Sequence, residues 1–453
     1  MSQSFLHRHV RNAVSGTVAQ MAGNKGEYRF MRRSRQHMGM CVLLAGTCLS
    51  SAALAQADAP RQNVGVLDMS RPYFDPKGIP LGGFRLFPSM SVSDSYDDNI
   101  FRIPSNTTGD HFVTIAPVMR LQSQWGLHFL EVYSGLNSYN YIDNDTQSLT
   151  DWNIGTQGRL DIVRGAYVRA NVQYGRLHEF WSSPNNLPGF QVSPNRYFNT
   201  HAEVIGSYQP ASFGIGAGFS FDRFNWTNTP AIGGGFISNN DRDNDETQFY
   251  VKTFYDFSPG YSGFIRYSYD KRDFDLTLDR SGFNRTAEGY HIGFGVDLQI
   301  SELLAGSVLV GYLTRDFSNV GIAPLKDVFG IDYDIQLDWF VQPDLTLHLN
   351  GKRTLNNVIL TGVSMADDKP ISISADYEFR PNIILQGKFS YTYSDYVGTN
   401  RTDEYPSIQI GARYLVNSYG SLVLNYTYSD RSSNVALFNY SDNMISLGFK
   451  LQI

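Results

Sequence analysis

Tyr290-His291-Ile292-Gly293-Phe294-Gly295-Val296-Asp297-Leu298-Gln299-Ile300 alternates without a break, with large apolar side chains at even positions and His, Gly, Asp and Gln at odd ones. Successive side chains of a strand point to opposite faces, so this stretch reads as a strand with one apolar and one polar face. The pattern recurs where Phe329, Ile331, Tyr333, Ile335, Leu337 and Trp339 alternate with Gly330, Asp332, Asp334, Gln336 and Asp338. It recurs again in Phe213–Phe221, where the second face is Gly214, Gly216, Gly218 and Ser220. Similar runs cover Ala166–Tyr174, Phe249–Phe257, Ile371–Phe379, Ile383–Tyr393 and Leu422–Tyr428. A soluble sandwich alternates too, but its strands average about 5–6 residues. These runs span about 9 to 13, the length a tilted strand needs to cross a bilayer.

Spacing supports the same reading. Short turns fall near Gln124-Trp125, Arg164-Gly165, Gln209-Pro210, Ser258-Pro259-Gly260, Ile300-Ser301, Gln342-Pro343, Arg380-Pro381 and Ser418–Gly420. One longer polar segment lies between successive turns, such as Trp181–Pro194, Thr227–Glu246 or Asp273–Arg285. Short turns on one side and long loops on the other are the outer-membrane arrangement. The expectation is an all-β fold: a single closed antiparallel transmembrane β-barrel over residues 83–453, of about 18 strands (16–18). Its short turns would be periplasmic and its longer loops extracellular. Tyr267-Ser-Tyr269-Asp270, Tyr391-Thr-Tyr393 and Tyr426-Thr-Tyr428 each lie about ten residues beyond a short turn, where an aromatic belt would pass into charged loops.

Ahead of the barrel, Met31-Arg32-Arg33-Ser34-Arg35, an apolar run from Cys41 and the small-x-small triplet Ala53-Leu54-Ala55 read as a secretory signal over 31–55. Cleavage would fall between Ala55 and Gln56. Residues 1–30 read as an upstream extension or a long n-region, and residues 56–82 as an extended periplasmic segment. The two cysteines, Cys41 and Cys48, both lie in the signal, so the mature chain would hold no disulfide. The net charge of −6 comes with no basic stripe, which argues against a nucleic-acid partner.

The segment Arg71-Pro72-x-x-Asp75-Pro76-x-Gly78-Ile79-x-Leu81-Gly82-x-Phe84, then Pro88 and Tyr96-Asp97-Asp98-Asn99-Ile100-Phe101, resembles the opening of the outer-membrane β-barrel porin type 2 family. The resemblance implies a barrel in the bacterial outer membrane with a role in exporting exopolysaccharide or capsular polymer. It also implies periplasmic polysaccharide-export components as partners, beside outer-membrane lipid and lipopolysaccharide. At the other end, Ser446-x-Gly448-x-x-Leu451-x-Ile453 resembles the signal read by the barrel assembly machinery, with Ile in place of the usual final Phe or Trp.

No enzyme site emerges from the residues. Histidines are scattered with no His-x-x-x-His pair, and no nucleophile elbow or phosphate loop is present. Gly214-x-Gly216-x-Gly218 is followed by no helix and reads as a smooth lumen surface. No cofactor is expected. Asn239–Glu246 has the composition of a calcium loop but lacks the turn glycine, and reads as a solvated loop. Opposite the lipid face, the inward candidates are Arg159, Arg169, Lys252 and Arg266, then Asp297, Asp332, Asp334, Asp338, Asp376 and Glu378, with Lys388 and Arg413 following. Basic and acidic residues would occupy different arcs; the other reading is that they pair within the wall. Tyr167, Tyr250, Phe254 and Phe264 also face inward, placed to stack on sugar rings. The sequence leaves three functions open: a polymer-export channel, a general or solute-selective diffusion porin, and a non-conducting surface-binding or assembly barrel.

Overall fold

The computed structural model describes residues 64–186, 188–300 and 303–453; the expected signal, its cleavage site at Ala55-Gln56 and the stretch before it lie outside them. Period-two patterning becomes eighteen antiparallel staves. They are β1 (Phe84–Asp97), β2 (Asp110–Ser123), β3 (Phe129–Tyr141), β4 (Leu149–Val163), β5 (Ala166–His178) and β6 (Arg196–Tyr208). Next come β7 (Phe213–Trp226), β8 (Asn244–Ser258), β9 (Tyr261–Phe274), β10 (Ala287–Ile300), β11 (Leu304–Phe317) and β12 (Val328–Gln342). The ring is completed by β13 (Leu345–Lys352, resumed as Thr354–Asn356), β14 (Ala366–Arg380), β15 (Ile383–Tyr396), β16 (Thr402–Asn417), β17 (Gly420–Ser433) and β18 (Tyr440–Gln452). Each stave pairs with its sequence neighbours, and β1 closes the ring on β18 through Ser89–Asp97 against Gln452–Met444.

Burial follows the sequence parity. Tyr290, Ile292 and Phe294 on β10 are exposed on the outer surface, while Gly289 and Gly293 are buried on the inner one. A 14-residue stave such as β1, rising about 3.3 Å per residue at a tilt of about 40°, climbs roughly 35 Å. The apolar band it must match is about 25 Å tall, so stave ends stand clear of the hydrocarbon. Exposed aromatics gather near both ends: Tyr96, Tyr290 and Phe329 toward the loops, Tyr208, Phe213, Tyr255 and Phe379 toward the turns. Those are the two interfacial girdles expected of a membrane barrel.

Below the seam, β1 extends past the end of β18. There Ile79–Leu81 runs antiparallel to β1, pairing Ile79 with Leu86 and Leu81 with Phe84. Gly82, at a positive φ of 59°, makes that tight return possible because it has no Cβ to clash. At the C-terminus Gly448 faces inward beside Ser93, Leu451 faces outward, and the Ile453 N–H donates to the Pro88 carbonyl at 3.2 Å.

Candidate functional site in the barrel lumen

All twelve charged residues singled out from the sequence lie on the inward face of their staves, and most meet an opposite charge. Arg159 on β4 reaches Asp161 at 2.7 Å. Lys252 on β8 holds Asp297 on β10 at 2.7 Å. Arg266 and Lys352 approach Asp334 at 3.8 and 4.0 Å. His291 lies 3.2 Å from both Asp270 and Asp332, and His348 lies 2.8 Å from Asp338 and 3.0 Å from Asp376. Glu378 is held by Arg71. Arg169 faces the lumen on β5, opposite Ile205 of β6. The expected split into a basic arc over 150–275 and an acidic arc over 290–380 is therefore corrected. Neighbouring staves bring opposite charges within reach, and pairing relieves the cost of desolvating them.

The aromatic candidates are rearranged too. Phe254 and Tyr250 of β8 lie over Gly214 and Gly218 of β7, and Phe264 of β9 lies over Gly295 of β10. A Cβ at any of those glycines would collide with the ring. The glycine face of β7 is thus a seat for its neighbour's rings and not a bare smooth surface. Phe264 is 6 % exposed beneath Lys252, whose Nζ stands 3.8 Å from the ring centre, and Tyr167 is 8 % exposed beneath Arg159 at 4.2 Å. Those two rings offer no open face to a sugar. Tyr250 and Phe254 keep partial exposure.

Sequence reasoning missed how the ends of the lumen are built. At the extracellular end, the loop between β5 and β6 crosses the mouth. Its Asn185 donates to the Asn357 carbonyl at 3.4 Å and accepts from the Ile359 N–H at 3.0 Å. The latter two belong to the β13–β14 loop, eight staves away around the ring. Its Ser182 carbonyl accepts from Arg431 of β17 at 3.1 Å. The base of this bridge is buried Glu179, gripped by Arg242 at 2.6 and 2.9 Å and by Asn185 and Asn195. Burial alone would raise the Glu179 pKa, but the Arg242 charge and these hydrogen bonds hold it below the usual carboxylate range.

The Asn239–Glu246 stretch belongs to this tie, with Arg242 in the grip just described and Asp241 bound by Arg280 at 2.7 and 2.8 Å. Beside it, Arg285 pairs with Asp279 and donates to the carbonyls of Val358, Leu360 and Val363. Phe283, Phe317, Leu325 and Met365 make an apolar core among the loops. Val358, Val363, Ala366 and Tyr396 make a second buried cluster beside it, and its sequence signal was present: Val358-Ile359-Leu360 and Val363 are apolar where a solvated loop should be polar.

At the periplasmic end, the segment expected to be extended instead packs into the mouth, as far as it is described. Val66 is fully buried and its N–H donates to Thr346 Oγ1 of β13 at 3.0 Å. Arg71 joins Glu378 of β14, and the Phe74 carbonyl accepts from Gln452 of β18 at 3.2 Å. The chain therefore traverses the opening from β13 toward β18 before it pairs with β1. An acidic cluster at the outer rim, Asp97, Asp98 and Asp442, is occupied by Arg102, which reaches Asp97 at 2.9 Å and Asp442 at 3.0 Å.

Among curated proteins the sequence has no match. Solved structures of similar architecture include OccAB2 of Acinetobacter baumannii, 13% identical with a TM-score of 0.44, covering 81% of this chain and 98% of that one. OccAB4 of the same organism is 11% identical with a TM-score of 0.43, covering 81% and 98%. OpdK of Pseudomonas aeruginosa, crystallised with vanillate, is 8% identical with a TM-score of 0.43, covering 81% and 99%. Residues 71–453 match the family described as "Putative beta-barrel porin 2". That match takes in all eighteen staves and the described segment beneath them from Arg71 onward, so the chain belongs to this porin family and is a β-barrel of the bacterial outer membrane.

Proposed function

We propose that the chain is a diffusion porin for small polar solutes, with no catalytic role. The observation that carries this reading is the loop bridge from Glu179 to Asn185, tied to the far wall through Asn357, Ile359 and Arg431. An eighteen-stave barrel is wide enough for an aqueous passage, and a loop fixed across its mouth narrows that passage to the scale of single small molecules. A polymer conduit, which the family resemblance implies, would require this bridge and the periplasmic segment to be displaced together. The polar, ion-paired lumen wall fits diffusion of hydrated solutes.

Planar-bilayer recording with the full barrel tests the reading. The expected result is a small, stable conductance that rises severalfold when residues 182–193 are replaced by a short Gly-Ser linker. A folded barrel that conducts neither before nor after that replacement would refute the porin reading. Gene deletion adds a second arm: permeability to small solutes should fall while secreted polymer is unchanged.

A further inference from the structure

We infer that the wall formed by β15–β18 and β1 is a path for polyhydroxylated carboxylates such as sugar acids, with Lys388 as its charged anchor. This rests on the porin reading and adds a solute class to it. At the outer rim, Asp97, Asp403 and Asp442 face inward on these staves and are matched by Arg102 and Arg401. Below that rim, the inward positions of the five staves carry no Asp or Glu, while Lys388, Arg413 and Lys450 all lie there. The adjoining wall, β10–β14, presents Asp297, Asp332, Asp334, Asp338 and Asp376, each already held by Lys252, Arg266, His291 or His348. With those carboxylates engaged, an anion in the lumen is drawn to a cation that has no carboxylate partner among the described residues, and Lys388 is one.

Lys388 stands in the middle of β15, between Ser374 of β14 and Gln409 of β16 in register. It makes no hydrogen bond or ion pair among the described residues. The nearest carboxylate across the register, Asp376, is already taken by His348 at 3.0 Å and Gln386 at 2.9 Å, which explains why it does not capture the lysine. An ammonium offers three donors to a carboxylate. At about the same height the wall continues as Gln409, Asn425, Ser446 and Ser93, amides and hydroxyls that can both donate to and accept from sugar hydroxyls. Ring stacking contributes little here, because this arc carries no open inward aromatic at that height. One cation followed by neutral hydrogen-bonding groups matches a molecule with one carboxylate and several hydroxyls.

Proteoliposomes holding the full protein, loaded with labelled glucuronate and glucose, test this by comparing efflux. Glucuronate should leave faster than glucose. Lys388→Gln should lower glucuronate efflux about fivefold, the scale of one solvent-accessible ion pair, with glucose efflux unchanged, and Lys388→Arg should restore it. Unaltered conductance of the variant in potassium chloride would show that it is folded and open. If neither solute leaves through the wild-type protein, the porin reading falls and this inference with it. If both leave at equal rates, or Lys388→Gln keeps the wild-type ratio, the porin stands and the sugar-acid path is overturned.

Discussion

Glu179 is a carboxylate removed from water and kept ionised by Arg242, Asn185 and Asn195. Because its folded pKa is depressed, its stabilisation is fully present above the ordinary glutamate range near about 4.3. It is lost as pH falls through the lower folded value. The wild-type conductance should therefore be constant between neutral pH and about pH 5, and rise only in stronger acid. Glu179→Gln strands a buried Arg242 and removes about 3–5 kcal/mol from the bridge, so its bilayer conductance should already be raised at pH 7 and respond little to acid. A second residue-scale contrast lies within one stretch of β7. Gly214→Ala drives a Cβ into the Phe254 ring, whereas Gly216→Ala meets only ordinary contacts, the nearest at 3.5 Å. The first should cost about 1–3 kcal/mol through displaced packing. The second should be nearly neutral, as read from thermal unfolding in detergent.

At the scale of elements, the staves were legible and the closures were not. Strand patterning is local: Tyr290 and His291 need only their own neighbours to reveal their faces, and the periplasmic turns carry Pro and Gly as turn chemistry requires. Glu179 and Arg242 are far apart in sequence and sit in loops of polar composition, so nothing periodic connects them. The inward charges were legible as residues, because parity assigns them to a face. Their partners were not, because Lys252 reaches past β9 to find Asp297 on β10. The periplasmic segment, with Pro60, Pro72, Pro76 and Pro80 and no strand alternation, reads as extended, yet Val66 and Arg71 are the residues that anchor it. Deleting residues 64–74 should leave the barrel heat-modifiable on gels and raise its conductance. A deletion with unchanged conductance would show that the segment lies clear of the path.

For the whole molecule, the barrel is a ring whose inward charges are largely paired, capped by loops that reach across it. On the proposed porin reading, this division sets what mutation should do: changes in the wall should alter which solute passes, and changes in the caps how much passes. The join between first and last staves shows a further economy. β1 is longer than the β18 edge that meets it, which would leave backbone donors and acceptors open at the lower end of β1, a ready template for a foreign strand. Ile79–Leu81 fills that gap from the same chain. A neighbouring copy caught half-inserted therefore meets only a three-residue edge there, too short to template a strand, and the segment that crosses the periplasmic mouth also guards the barrel against fusing with its neighbours.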